Sequence, residues 1–211
     1  MITLKLLDSE KQIAQNINKA IAEHINSILV KNQSNLLSRV KTLVIQWIQS
    51  QPEISSLLST SPDSLAGLFG IPPNEVTPAV NNIISAIERS IEVKFIPYSN
   101  NLQNGGLEVN IQPSTFENLL LLPEGHVRYI GGDLHWLNWL INAGDTIIVA
   151  NYQYNPVSGF GRSGFGVMIP GGAFRVPPQF SGISDNNFIT RALVGSSQMD
   201  QIGTIIKDIL S

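Results

Sequence analysis

Near Ser90 the spacing of apolar residues changes from a period of about 3.6 to a period of 2, and that change constrains the fold more than any other feature of the chain. Before it, Ile13, Ile17, Ile21, Ile25 and Ile28 recur at helical intervals. Leu36, Leu37, Val40, Leu43, Val44, Trp47 and Ile48 do the same. After it, Ile91, Val93 and Phe95 alternate with Glu92 and Lys94. Leu107, Val109 and Ile111 alternate with Glu108 and Asn110 beyond the turn Asn104-Gly105-Gly106. The first pattern buries one stripe of a helix, and the second buries one face of a strand, so the same chain must build both kinds of layer.

The pattern predicts an α+β fold: a helical N-terminal half, residues 1–90, packed on a small, mainly antiparallel β half with a C-terminal helix, residues 91–211. The two halves are expected to form one compact unit. Asp8 or Ser9 caps the first helix, a second helix follows Ser34, and Pro52 ends it. Ser61-Pro62 and Thr77-Pro78 each read as an N-cap followed by a first-turn proline, the former helix being closed by Gly70. Strands are expected at 91–95 and 107–111, paired as a hairpin, and at 127–130 ahead of a Gly131-Gly132 turn. Residues 114–122 and 135–142 read as short helices. The strongest strand signal covers 146–154, with 166–169 pairing to it and 174–176 as a short edge. Asn186 to Arg191 read as a capped short helix, and helix resumes from about Gln198.

Composition excludes several kinds of chemistry. A net charge of −3, with 13 scattered Lys and Arg, does not supply the clustered basic face that phosphate neutralisation needs, so no sequence-specific nucleic-acid partner is expected. There is no cysteine, which removes disulfides, thiolate catalysis and Cys-based metal sites. No apolar run approaches the roughly 18 residues of a membrane span. Met1-Ile2-Thr3-Leu4-Lys5-Leu6-Leu7 is too short for a signal peptide. Charged residues make up only 14% of the chain against an ordinary quarter or so, their place taken by Asn, Gln and Ser, as suits a subunit packed among others.

The candidate chemical motifs are weak in context. Gly159-Phe160-Gly161-Arg162-Ser163-Gly164 matches the spacing of a dinucleotide-binding turn. That turn works only between a strand and a helix, and here it falls between two expected strands. A mobile or extended hairpin tip is the bland reading. The functional one is a loop whose Arg162 docks on a neighbouring subunit, since arginine is favoured at interface hot spots. His126, Asp133 and His135 could be assembled into a metal set of two imidazoles and a carboxylate, but their spacing specifies none, and a polar turn explains them as well. No Gly-x-Ser-x-Gly elbow is present. Trp136 and Trp139 share a helix face, where core packing competes with stacking on a sugar. The prolines of Phe174-Arg175-Val176-Pro177-Pro178 stop strand pairing. Phe188 beside Arg191 fits either a core or an interface role. No catalytic, cofactor-binding or metal residue is assigned. The residues expected to make protein contacts are Trp136, Trp139, Arg162, Phe174, Arg175, Phe188 and Arg191, carried by loops 155–165 and 171–184 among others.

With these residues in view, the chain resembles a family of roughly 200-residue virion proteins of large tailed bacteriophages, including contractile-tailed phages of cyanobacteria. The likeness rests on Trp136-Leu137-Asn138-Trp139-Leu140, Gly144-Asp145, Ile147-Ile148, Gly161-Arg162-Ser163-Gly164, Phe174-Arg175-Val176-Pro177-Pro178, Ser181-Gly182 and Asn187-Phe188-Ile189-Thr190-Arg191-Ala192. Gln51-Pro52-Glu53, Ser56-Leu57 and Gly67-Leu68-Phe69-Gly70 add a fainter echo. The resemblance implies a particle component without enzymatic activity or cofactor, located in the virion. It implies a connector or tail-terminator-like subunit of the neck or tail, arranged in a ring, whose partners are copies of itself and neighbouring virion proteins. A baseplate component is the alternative within that class; a carbohydrate-binding module using Trp136 and Trp139 is the alternative outside it. An enzyme would instead join Asp133, His135 and an arginine in one pocket.

Overall fold

The computed structural model describes residues 8–129 and 132–210. The expectation about residues 1–7 and the first glycine of the Gly131-Gly132 turn lie outside them. The fold is α+β: a long N-terminal helix, further helices through residue 90, small antiparallel hairpins, and a C-terminal helix. Its compact units are not the two sequence halves. One is assembled from Met1–Val40, Ile91–Asn110 and Met199–Ser211, the other from Lys41–Ser90 and Ile111–Gln198.

The first unit is organised by α1 (Glu10–Gln49), which continues into the second unit. Ser9 caps it: its Oγ accepts from Gln12 N at 3.3 Å, and Gln12 Oε1 accepts from Ser9 N at 2.9 Å, a reciprocal capping box. The break expected at Ser34 does not occur. No glycine or proline lies between Glu10 and Gln49, and Lys31-Asn32-Gln33-Ser34-Asn35 are polar without being helix breakers. The helix therefore runs on for 40 residues, about 60 Å.

Ala22, Leu29, Leu36 and Val40 form its buried stripe in this unit. Two amides on the same side fasten the hairpin of β1 (Glu92–Ile96) and β2 (Gly106–Asn110). Asn26 exchanges two bonds with the backbone of Tyr98, at 2.9 and 3.0 Å, and Gln33 Nε2 donates to Val93 O at 3.0 Å. The hairpin pairs Glu92 with Asn110 and Ile96 with Gly106, as the alternation requires. The end of the chain contributes α8 (Ser196–Leu210), whose Asp208 accepts from Arg39 of α1 at 2.8 Å.

In the second unit, α1 ends at Gln49, and Pro52 opens α2 (Pro52–Leu58). The cap of α3 (Leu65–Phe69) is Ser64, whose Oγ accepts from Gly67 N at 3.1 Å, and not Ser61, which belongs to the preceding turn. Gly70 closes α3 at φ 68°, as expected. Thr77-Pro78 opens nothing: α4 (Pro73–Ser90) starts at the earlier proline and carries Pro78 inside. As the sixth residue of α4, Pro78 removes the bond that an N–H at that position would make to Asn74 O.

Residues 114–122 contribute only α5 (Glu117–Leu120), followed by a 3-10 turn at Pro123–Gly125. Then come β3 (Val127–Tyr129), β4 (Gly132–Leu134), α6 (Trp136–Ile141), β5 (Val149–Asn155), β6 (Val167–Phe174) and α7 (Phe188–Leu193). Strand β4 has no counterpart in the sequence reading, and β6 runs on from the expected strand 166–169 to Phe174, the first residue of the expected edge 174–176. Trp136, Leu137, Leu140 and Ile141 bury α6; Phe188, Ile189 and Ala192 bury α7. Each Leu, Ile or Phe among them contributes roughly 1.5–3 kcal/mol by leaving water.

Candidate interaction surface

Strands β5 and β6 form a two-stranded ribbon whose central residues are exposed on both faces. The 29 positions from Thr146 to Phe174 carry one charged residue, Arg162. Paired residues share a face, so Tyr152 with Pro170 and Tyr154 with Met168 line one side, and Gln153 with Ile169 the other. Opposite the single residue Asn151, β6 carries two, Gly171 and Gly172, one more than the register needs. All three have positive φ (61°, 108° and 71°), the left-handed region that glycine and asparagine tolerate best, and the ribbon bends there.

Both ends of the ribbon are anchored. At one end Phe174 and Val176 are buried, while Arg175, between them, projects outward and donates to Asp145 Oδ2 at 3.1 Å. At the other, Tyr154 OH donates to Pro62 O at 2.9 Å, and Ser163, itself buried, places its Oγ 3.5 Å from Gly67 O. Burial, and then the carboxylate of Asp63, hold the Tyr154 phenol above its usual range, so it stays a donor at neutral pH.

The glycine loop 159–164 is therefore not a mobile tip. It folds back on α3, with Gly164 N donating to Gly161 O at 3.0 Å, and no helix follows it to receive a pyrophosphate. Its outward side shows Val157 and Phe160, 88% and 91% exposed. These side chains, with Tyr152 and Met168, were not among the sequence candidates. The signal that marks them is the scarcity of charge over the whole segment.

The seven candidates for protein contacts fall into three groups. Trp136 and Phe188 have no exposed surface, and Phe174 is buried. Trp136 Nε1 donates to Glu124 O at 2.9 Å, and its ring centre lies 5.9 Å from that of Phe69, so this indole offers no face to a sugar. Arg175 and Arg191 are engaged within the chain, by Asp145 and by Glu53. Trp139 is half-buried, and Arg162 is exposed.

The β3–β4 register brings His126, Asp133 and His135 together. Arg128 faces Asp133 across the hairpin, and the two histidines flank it. His126 Nδ1 lies 2.8 Å from Asp133 Oδ2, and the imidazoles stack with centres 3.9 Å apart and planes at 15°. Stacked rings aim their in-plane lone pairs side by side, not at a common point. Among the described residues no group of three or more His, Asp or Glu side chains is placed to hold a metal ion. His135 Nε2 is buried without a partner; burial, reinforced by His126 and opposed by Asp133, holds its pKa below the usual value of 6.5. His126 and Asp133 also line an open cleft of about 640 Å³ with Glu75, Arg128 and Arg162. His135 does not, and the cleft walls offer no serine or threonine nucleophile.

Comparison of the chain with protein-family models, with curated proteins and with solved structures finds no match. No helix among the described residues is long and apolar enough to cross a membrane.

Proposed function

We propose that this chain is a structural subunit of a tailed-phage virion, a connector or tail-terminator-like component that closes into a ring in the neck or tail, with copies of itself and neighbouring virion proteins as partners. The observation that carries the reading is the β5–β6 ribbon. It is nearly free of charge, exposed on both faces and fixed at both ends. A two-stranded ribbon alone is marginal in water, and apolar side chains that stand out this far mark a contact surface. A ring needs two different surfaces that meet head to tail, and a ribbon held rigid in advance loses little freedom on docking.

The residues behind the resemblance support the same reading at the level of fold. Phe174, Val176 and Phe188 are core side chains, Asn187 caps α7, and a Cβ on Gly182 would run into the Leu140 carbonyl. A likeness resting on such positions is a likeness of architecture, which is what a particle subunit without catalytic chemistry would share. A baseplate ring would use the ribbon in the same way.

The test replaces exposed ribbon residues in the phage genome. Tyr152→Asp with Phe160→Asp should leave the isolated subunit within about 0.5 kcal/mol of its original stability, as surface substitutions usually do, and remove it from purified particles. Normal incorporation of the double variant would contradict the proposal.

A further inference from the structure

The N-terminal half of α1 has two apolar faces, and the first unit covers one of them. Ala22, Leu29 and Leu36 are buried. Roughly a third of a turn away, Ile13, Ile17, Ala20, Ile21, His24 and Ile28 fall within an arc of about 100°. Ile17 and Ile21 are 53% and 42% exposed, Ala20 and His24 are exposed, and Ile13 and Ile28 are partly so. The isoleucine stripe that the sequence marks as core thus includes a strip open to solvent. No charge interrupts it. Lys19 and Glu23, 3.9 Å apart, lie outside it, in the sector between the strip and the covered face. Within the arc the strip is bounded by Glu10 at one end and Lys31 at the other.

We infer that this strip is the seam of an antiparallel homodimer, α1 against α1 of a second copy across a twofold axis between Ala20 and Ile21. In that register Glu10 faces Lys31 of the second copy, Ile13 faces Ile28, Ile17 faces His24, and Ala20 faces Ile21. The seam is about 30 Å long. Each apolar side chain meets one of complementary size, and the small Ala20 lets the helices approach at the crossing. The terminal charges select the arrangement: antiparallel pairing makes two Glu10–Lys31 contacts, whereas parallel pairing opposes Glu10 to Glu10 and Lys31 to Lys31. Self-complementarity of this kind is the property an isologous contact requires, and a foreign partner would have no reason to match it. The inference uses α1 and not the β5–β6 ribbon, and it does not rest on the virion reading.

Sedimentation velocity over a range of concentrations tests it on the intact chain. The original protein should dimerise. Ile17→Lys with Ile21→Lys should weaken dimerisation at least about a hundredfold while leaving circular dichroism unchanged, since both side chains are solvent-exposed in the single chain. Glu10→Lys or Lys31→Glu alone should weaken it about three- to tenfold, and the two combined should restore it. Because the chain has no cysteine, Ala20→Cys should give a disulfide-linked dimer on oxidation and Glu10→Cys should not. A monomer at every concentration, a dimer indifferent to the Ile17 and Ile21 changes, or faster cross-linking through Glu10→Cys would each overturn the inference.

Discussion

Glu53 has no exposed surface, and its carboxylate accepts a hydrogen bond from the guanidinium of Arg191, 138 positions further along the chain. The pair ties α2 to α7 within the second unit. Burial raises the Glu53 pKa above 4.5, while a backbone hydrogen bond and Arg191 pull the other way. A carboxyl whose pKa is raised by folding holds its proton more tightly in the folded state, so stability falls as pH rises through the window above 4.5. Arg191→Ala leaves the carboxylate buried and unpaired. It should cost about 2–3 kcal/mol at pH 7, less than a fully buried pair because Arg191 is partly exposed. Much of that loss should return as pH falls toward 4.5. Urea unfolding at pH 7 and pH 5 measures both, and a loss that is equal at the two values would contradict the assignment.

Asn187 makes five side-chain hydrogen bonds among the described residues of the second unit. Its Oδ1 accepts from Ile189 N and Thr190 N at 3.0 Å each, closing a capping box with Thr190, and its Nδ2 donates to the carbonyls of Ile141, Ile183 and Ser184. Asn187→Ala should lower stability by about 2–3 kcal/mol: a cap is lost, and the Ile141 carbonyl loses its buried donor. Asn187→Asp keeps the acceptor and loses the donor, so it should not rescue. Thermal melting of the two variants checks this; full rescue by aspartate would assign the role to the cap alone.

His135 should make the fold sensitive to mild acid. A histidine whose pKa is lowered by folding binds its proton more readily when unfolded, so its contribution is present above pH 6.5 and is lost as pH falls below that value. This runs opposite to the Glu53 effect, so the comparison must be made by difference. Between pH 7 and pH 5 the original protein should lose more stability than His135→Gln does. Parallel profiles for the two proteins would remove His135 as the cause.

The ribbon's anchor gives a further test. Tyr154→Phe removes the bond to Pro62 O without changing packing volume. The loss in stability should be about 1 kcal/mol, and amide exchange should quicken across residues 156–166 more than in α6 or α7. Uniform exchange behaviour would contradict the account of a ribbon held at that end.

Local chemistry was legible in the sequence wherever a single residue type decides the outcome. The change of period at Ser90 and the β1–β2 hairpin follow from apolar spacing, and Gly70 as a helix stop and the cap of α7 follow from single residues acting on their own backbone. What periodicity cannot say is whether an apolar face is covered. Ile17 and Ile21 have the spacing of core residues and stand in solvent, whereas Trp136 and Phe188 have the look of anchors and are fully enclosed. Helix length was misread at Ser34 because a polar stretch without glycine or proline does not break a helix. Long-range partners were invisible: neither Glu53 with Arg191 nor Ser163 with Gly67 leaves a local trace. The proposed contact surface is legible only as a scarcity of charge between Thr146 and Phe174, where Arg162 is the one charged residue.

The measurement that bears most directly on the proposed virion role is the number of copies of this chain in purified phage particles, by quantitative mass spectrometry. A ring subunit of the neck, tail or baseplate should be present at about six or about twelve copies, because closed symmetry fixes such numbers. Absence from the particle would contradict the structural reading and return attention to the cleft beside His126 and Asp133.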